Sequence, residues 1–274
     1  MNPSELLNPE LQKLVDNGVA AAERDYHGTN ALLYDKIQGD IGDIDFFLKL
    51  VGSTPCKILE LGSGTGRITI PLARAGHKVF ALDSSSDMHD ILSQKTPPEL
   101  QASIVHIHSD MTDIPVDETF DMAILPLNTV LHLTDPSSRE RCFRSVNEHL
   151  PPEALFVIDL VVPTGDLVAN TEGNYQLRML DMDGSTSYVW IMYSQYNPKS
   201  QLNVLNFLTI RTEKNRGTDI TVTPAAEYYP SAGEMRLLLE SAGFRIRSMY
   251  GNYDCAPFED SPGRTMIVVA QAAP

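Results

Sequence analysis

The chain has 274 residues, 42% of them hydrophobic, and a formal net charge of −15. That length supports one large α/β core with an accessory layer, and the sequence holds no run of about 18 apolar residues that would cross a membrane. An acidic surface argues against DNA or RNA as partner, because nucleic-acid affinity rests on Lys and Arg neutralising phosphates.

Cys56, Cys142 and Cys255 are too widely spaced for a metal pattern and too few for a disulfide framework. The polar N-terminus, MNPSELLNPELQKL, does not have the form of a signal peptide, so a cytoplasmic location is expected. Residues 1–25 read as an amphipathic helix, with Leu11, Leu14, Val15 and Val19 at helical spacing. With Thr29 to Leu50 they form an expected N-terminal helical cap, residues 1–54.

Residues 55–160 form the expected core, and Lys57 to Asp83 is its most informative stretch: KILELGSGTGRITIPLARAGHKVFALD. Ile58 to Leu61 is an apolar strand. Glycines at alternate positions follow, Gly62, Gly64 and Gly66, then a helix from Ile68 to Ala75 and a strand from Val79 to Leu82 that ends on Asp83. Such glycines let the backbone adopt positive φ and approach a ligand closely. Pro71 is compatible with the helix because the first turn tolerates proline. A carboxylate at the tip of the second strand can accept both ribose hydroxyls. His77, at the opening of that strand, is expected at the surface. Further strands are expected at Ser103 to Ile107, Phe120 to Leu125 and Leu155 to Leu160, with His106 and His108 as ordinary alternation.

Residues 161–230 are too long for a simple loop. Gly173 to Tyr196, Leu202 to Thr212 and Thr218 to Tyr228 read as about three antiparallel strands, separated by turn residues at Asp183-Gly184, Asn197-Pro198 and Arg216-Gly217. Residues 231–274 return to the core: a helix at Gly233 to Gly243 and strands at Phe244 to Tyr250 and Thr265 to Ala270.

The glycine spacing separates this turn from others. A dinucleotide fingerprint reads G-x-G-x-x-G, and a Walker loop has lysine after its last glycine. Here G-x-G-x-G follows the acid Glu60, which would repel a pyrophosphate and suits an ammonium or sulfonium group. The string resembles motif I, E/D-x-G-x-G-x-G, of class I S-adenosylmethionine-dependent methyltransferases, and the resemblance runs from about Tyr34 to Ala270.

It implies a Rossmann-like α/β fold: a seven-stranded, mostly parallel sheet with helices on both faces, an antiparallel accessory β insertion and N-terminal helices. It implies S-adenosyl-L-methionine as cofactor and S-adenosyl-L-homocysteine as product. It places Glu60, Gly62, Ser63, Gly64, Gly66 and Arg67 around the cofactor turn. Ser84 and Met88 follow Asp83 in DSSSDM, as in the family's D-x-S-x-x-M pattern at the ribose, and Asp110 with Met111 lies near the adenine. Leu127 and Asn128 sit in the loop after the fourth strand, where the transfer site opens. Tyr34-Asp35 resembles a Y-D pair whose aromatic closes over the methionine end. The insertion, by the same resemblance, is a lid or a dimer surface.

Methyl transfer from a sulfonium is an in-line displacement, so the protein chiefly aligns and desolvates the partners. A base is useful but not obligatory. His132, four after Asn128, is the candidate base; Tyr26, Asn128, His132, Arg178, Trp190 and Tyr229 are the candidate acceptor contacts. The reading is a methyltransferase acting on N or O of a small-molecule metabolite, with N favoured, no metal, no nucleic acid, no membrane, and a homodimer through the insertion. Two alternatives from other classes are a nicotinamide-dependent oxidoreductase and a catalytically silent cofactor-binding module.

Overall fold

The structure, a computed structural model, describes residues 6–39, 41–170, 173–182, 184–260 and 265–273. In chain order the elements are α1 (Pro9–Asp16), β1 (Ala21–Ala22), α2 (Gly28–Gln38), α3 (Asp43–Val51), β2 (Lys57–Leu61), α4 (Thr69–Arg74) and β3 (Lys78–Asp83). Then come α5 (Ser86–Lys95), β4 (Ile104–His108), β5 (Met122–Leu125), α6 (Pro136–Glu148), β6 (Leu155–Val161) and α7 (Gly165–Ala169). The accessory strands are β7 (Asn174–Asp181), β8 (Thr186–Asn197), β9 (Leu202–Glu213) and β10 (Gly217–Tyr228); α8 (Ala232–Ser241), β11 (Phe244–Tyr250) and β12 (Thr265–Ala272) close the chain. They divide between two compact units: Asp40–Pro163 with Tyr229–Pro274, and Met1–Gly39 with Thr164–Tyr228.

In the first unit a seven-stranded sheet has the order β11-β12-β6-β5-β2-β3-β4. The pairs β4·β3, β3·β2, β2·β5 and β5·β6 are parallel; β12 runs antiparallel to both β6 and β11. Strands covered on both faces read as continuous apolar runs, and β5 (MAIL) is buried throughout while β2 (KILEL) is buried from its second residue on. The expected doubly wound core is therefore present, with element ends shifted by one or two residues. Strand order reverses between β2 and β5, and ligands of open α/β sheets bind at the carboxyl ends of such a switch point. His77 corrects its surface expectation: it is 1% exposed, with Nδ1 3.3 Å from Cys56 Sγ. The ring is buried just ahead of β3, which alternation along the strand did not reveal.

The second unit holds a five-stranded sheet, β1-β10-β9-β8-β7. Two sequence expectations are corrected here. The N-terminal helix does not run through residues 1–25: residues 1–5 lie outside the described part, α1 is capped by Asn8, whose side chain accepts from Glu10 N, and it stops at Asp16. Gly18, at φ +69, turns the chain, and Ala21–Ala22 pairs in parallel with Thr221–Val222. The insertion has four strands rather than three, because Gly173 to Tyr196 folds back on itself as β7 and β8. The turn between them is held by Asp181, whose Oδ1 accepts from Gly184 N at 2.7 Å; Asp183 lies outside the described residues. One face of this sheet buries Tyr188 and Trp190 against Leu33 of α2. The other face carries Tyr175, Leu177 and Met179 on β7, which are 73%, 56% and 77% exposed.

Candidate active site

At the switch point two turns meet. The first leaves β2 through Gly62, Gly64 and Gly66, at φ +68, +53 and +81, where side chains are strained. Ser63 N donates to Leu82 O at 3.0 Å and Gly66 N to Ser63 O at 3.0 Å, which folds the turn tightly over the end of β3. A Cβ on Gly62 would lie 2.3 Å from Thr129 Cγ2, so the turn after β5 requires a glycine there. A Cβ on Gly64 would meet nothing within 4 Å, so that backbone borders open space. Ser63 Oγ is buried and has no hydrogen-bond partner among the described residues.

Asp83 stands at the tip of β3 as expected. Its Oδ2 accepts from Gly64 N and its Oδ1 from Ser85 N, both at 2.8 Å. The acid is thus fixed against the glycine turn and has remaining lone pairs for a ligand. Ser84 is exposed; Met88 is 1% exposed, with its amide donated to Ser85 Oγ at the start of α5. Asp110, past β4, is exposed and accepts from Thr112 N and Oγ1 at 2.8 and 2.7 Å, with the half-buried Met111 between.

The floor of this region is acidic. Glu60 is 1% exposed and accepts from Thr69 Oγ1 at 2.6 Å; burial pushes its carboxyl up to about 8, against the opposing effects of Thr69 and Arg67. Arg67 reaches the fully buried Asp43 of α3 through two hydrogen bonds of 2.6 Å. The guanidinium is therefore anchored in a bidentate pair, a partner that a reading confined to the glycine turn had not found.

The second turn leaves β5 as Pro126-Leu127-Asn128 and enters a 3₁₀ turn, Thr129–His132. Leu127 and Asn128 have φ of 51° and 65°. Leu127 N donates to Asp159 Oδ1 at 2.7 Å, and Val161 N donates to Asn128 Oδ1 at 2.6 Å. Asp159 is 2% exposed and accepts from Tyr253 Oη at 2.6 Å; burial raises its carboxyl to about 6, and burial first, then Asp159, raises the Tyr253 phenol. Asn128 lies just outside the 3₁₀ turn that carries His132, and its side-chain oxygen is engaged by β6. His132 is half-buried at the end of that turn.

Asp159, Tyr253 and Asp43 escaped the sequence reading. A signal was present for the first: LFVIDLV puts one acid inside an otherwise apolar strand. His89 was also missed. It is 8% exposed, with Nε2 3.2 Å from Asp83 O and 3.1 Å from Ile107 O and Nδ1 3.2 Å from His106 Nδ1. Burial first, then His89, lowers the pKa of His106.

Tyr26, Tyr34, Trp190 and Arg178 belong to the other unit. Tyr26 and Tyr34 form an edge-on pair with centroids 6.0 Å apart. Trp190 packs in the sheet core, its ring 5.6 Å from that of Phe207, so packing accounts for its side chain. Arg178 is exposed on β7, the outermost strand of its sheet among the described residues. Tyr229, in the first unit, is 7% exposed.

A doubly wound sheet of this strand order, with an acid-flanked glycine turn and Asp83 at its switch point, is a Rossmann-like fold shared with solved methyltransferases. The residues present fit that cofactor. Gly64 leaves room for it, the Ser63 hydroxyl has no partner among the described residues, and Asp83 has lone pairs to spare for ribose hydroxyls. A methyltransferase-domain profile matches residues 58–153. A cypemycin N-terminal methyltransferase of Streptomyces sp is 24% identical over 78% of this chain and 82% of its own. The solved CcbJ methyltransferase of Streptomyces caelestis covers 92% of this chain and 99% of its own at 23% identity and a TM-score of 0.74. The sugar N-methyltransferase KedS8 of Streptoalloteichus sp covers 90% and 94% at 14% identity and a TM-score of 0.75. These likenesses support a class I S-adenosylmethionine-dependent methyltransferase, with S-adenosyl-L-methionine as cofactor. No described helix is long and apolar enough to cross a membrane, and no group of three or more His, Cys, Asp or Glu among the described residues could hold a metal ion.

Proposed function

We propose that the protein methylates a nitrogen of a small-molecule metabolite, and that the cofactor lies over the Gly62–Gly66 turn. The observation that carries this reading is the combination of open space at Gly64, the orphan hydroxyl of Ser63 and the Asp83 carboxylate. Gly62, Ser63, Gly64 and Gly66 approach the methionine and ribose portion. Asp83 takes the ribose hydroxyls with Ser84 and Met88 beside it, and Asp110 and Met111 border the adenine. Glu60, held protonated at neutral pH by burial, is tied to Thr69 below the turn, with Arg67 paired to Asp43. Leu127 and Asn128 wall the transfer site. When bound, the sulfonium supplies an activated methyl group. The chain's own residues align the acceptor and exclude water, and His132 takes the proton that the amine loses.

The preference for nitrogen over oxygen is supported by two relatives, one an N-terminal methyltransferase and one a sugar N-methyltransferase. Asn128 and Tyr229 are the acceptor contacts that this reading keeps; Trp190 is assigned to packing, and Arg178 to the exposed sheet edge. A second copy of the chain is the partner for the exposed face of β7: a two-fold contact would cover Tyr175, Leu177 and Met179 twice over.

The test pairs calorimetry of S-adenosylhomocysteine with methyl transfer to primary and secondary amines and to their hydroxyl isosteres. Turnover on hydroxyls alone would replace the nitrogen reading. A thermal shift with NADH and none with S-adenosylhomocysteine would favour an oxidoreductase. Binding without turnover on any acceptor would favour the silent module. His132→Ala is expected to lower turnover by roughly 10²- to 10⁴-fold if the imidazole is the base, with little change in cofactor affinity.

A further inference from the structure

We infer that Asp159, braced by Tyr253, is a positioning residue for methyl transfer: it holds Leu127 and Asn128 in the left-handed turn that walls the cofactor site. The inference rests on the methyltransferase reading and adds residues to it that touch neither the glycine turn nor the ribose acid.

Leu127 at φ 51 and Asn128 at φ 65 are consecutive non-glycine residues in the left-handed region. Asparagine visits that region readily; leucine, whose Cβ crowds the following carbonyl, does not. Backbone strain persists only where surrounding contacts over-determine it. Here the contacts converge from β6. Leu127 N donates to Asp159 Oδ1, Asn128 N donates to Asp159 O at 3.1 Å, and Val161 N donates back to Asn128 Oδ1. A single residue therefore takes both amides of the turn, one on its side chain and one on its backbone.

Asp159 is an expensive residue at this place. Its neighbours along β6 are apolar and buried, and so is the carboxylate. An apolar residue would pack in β6 without the cost of burying a carboxylate, but it would leave Leu127 N without an acceptor. The second oxygen is not idle either. Tyr253 donates to it at 2.6 Å from the segment between β11 and β12, and the ring of Tyr253 lies 5.9 Å from that of Phe46. Tyr253 thus fixes the rotamer of Asp159 and connects the turn to the hydrophobic core. Asp43 and Arg67 are the other charged groups that bear on Asp159, and they are paired with each other.

The test uses the full chain and S-adenosylhomocysteine as probe, read by calorimetry, with Asp159→Ala, Asp159→Asn, Tyr253→Phe and the double variant Asp159→Ala/Leu127→Gly. Asp159→Ala is expected to weaken binding about tenfold, because the Leu127 amide loses its acceptor. Asp159→Asn keeps that acceptor and should stay within about threefold of the parent protein. In the double variant glycine adopts the left-handed turn unaided, so affinity should return to within about threefold. A merely structural aspartate would not be rescued in this way.

A folded Asp159→Ala with parental affinity overturns the inference, and so does a weakened one that Leu127→Gly leaves weakened. If Asp159→Ala does not fold, Tyr253→Phe decides the matter: the Leu127 amide should exchange hydrogen faster, and unchanged exchange there overturns it. Absence of binding by the parent protein is a different result, since it removes the methyltransferase reading itself.

Discussion

In the unit built on the parallel sheet, β2, β5 and β6 are buried almost end to end, and each acid admitted to the interior is met by a donor: Glu60 by Thr69, Asp43 by Arg67, Asp159 by Tyr253 and Leu127 N. In the other unit the outer strand β7 is open on one face. Trp190 and Tyr188 are buried on one side of the sheet, while Tyr175, Leu177 and Met179 stand in the open on the other. The contrast separates two uses of burial. The first unit buries carboxylates that orient polar groups at strand ends; the second buries no carboxylate among its described residues and leaves its unusual feature, an apolar strip on β7, at the surface.

Substitutions sharpen or break that contrast. The largest effect is expected at Trp190. Trp190→Ala should cost about 3–5 kcal/mol of stability and leave the affinity of the folded protein for S-adenosylhomocysteine unchanged. A selective loss of affinity would mean that the accessory sheet reaches the cofactor chemistry.

Next in size is a pH effect confined to the parallel-sheet unit. Glu60, lifted to about 8 in the folded chain, and Asp159, lifted to about 6, favour the protonated form when folded. Between their unfolded values and these folded values the native state binds more protons. Stability is therefore highest at low pH as far as these two groups are concerned, and it falls as pH rises through 6 and on to 8. Glu60→Gln should flatten the upper part of that slope, by an amount on the order of a few kcal/mol at pH 9. Chemical denaturation across pH measures it, and an unchanged slope would show that Glu60 is ionised throughout.

Asp83→Ala should weaken S-adenosylhomocysteine by roughly 2–3 kcal/mol with little loss of fold, read by calorimetry beside a thermal melt. The structure adds a reason: the same carboxylate also receives Gly64 N, so its removal loosens the turn as well as the ribose contact. Unchanged affinity would remove Asp83 from the site. The smallest effect on the fold belongs to the exposed strip. Met179→Glu should change monomer stability by no more than about 0.5 kcal/mol, yet move a dimer to monomer in sedimentation. A parent protein that is monomeric at all concentrations would end the homodimer reading.

How much of this was legible follows the same division. The doubly wound core was readable because its strands are apolar runs between turn residues, and Gly62 to Gly66 with Asp83 lies within one continuous stretch of chain. The site's supporting groups were not. Asp159 serves Leu127 across 32 positions, Tyr253 serves Asp159 across 94, and neither spacing has a period. Asn128 was placed beside His132 by assuming α-helical spacing; Asn128 lies just outside the 3₁₀ turn that carries His132. In the accessory unit, the alternation of β7 and β8 was visible, but the reversal at Met182–Ser185 was hidden inside one aromatic-rich stretch, and a two-residue strand such as β1 has no signature of its own.

That short strand has a consequence for how the protein is made. Ala21 pairs with Thr221, 200 positions later (221 − 21), and Leu33 packs with Tyr188 and Trp190. At ribosomal rates of about 5–20 residues per second, roughly 10–40 s separate the synthesis of β1 from that of its partner β10. During that interval all of Asp40–Pro163 has been synthesised, while α2 still lacks the strands that bury Leu33. The nascent chain thus carries an unfinished N-terminal segment past five completed parallel strands, and the last steps of its maturation join the two most distant parts of a unit that the core interrupts.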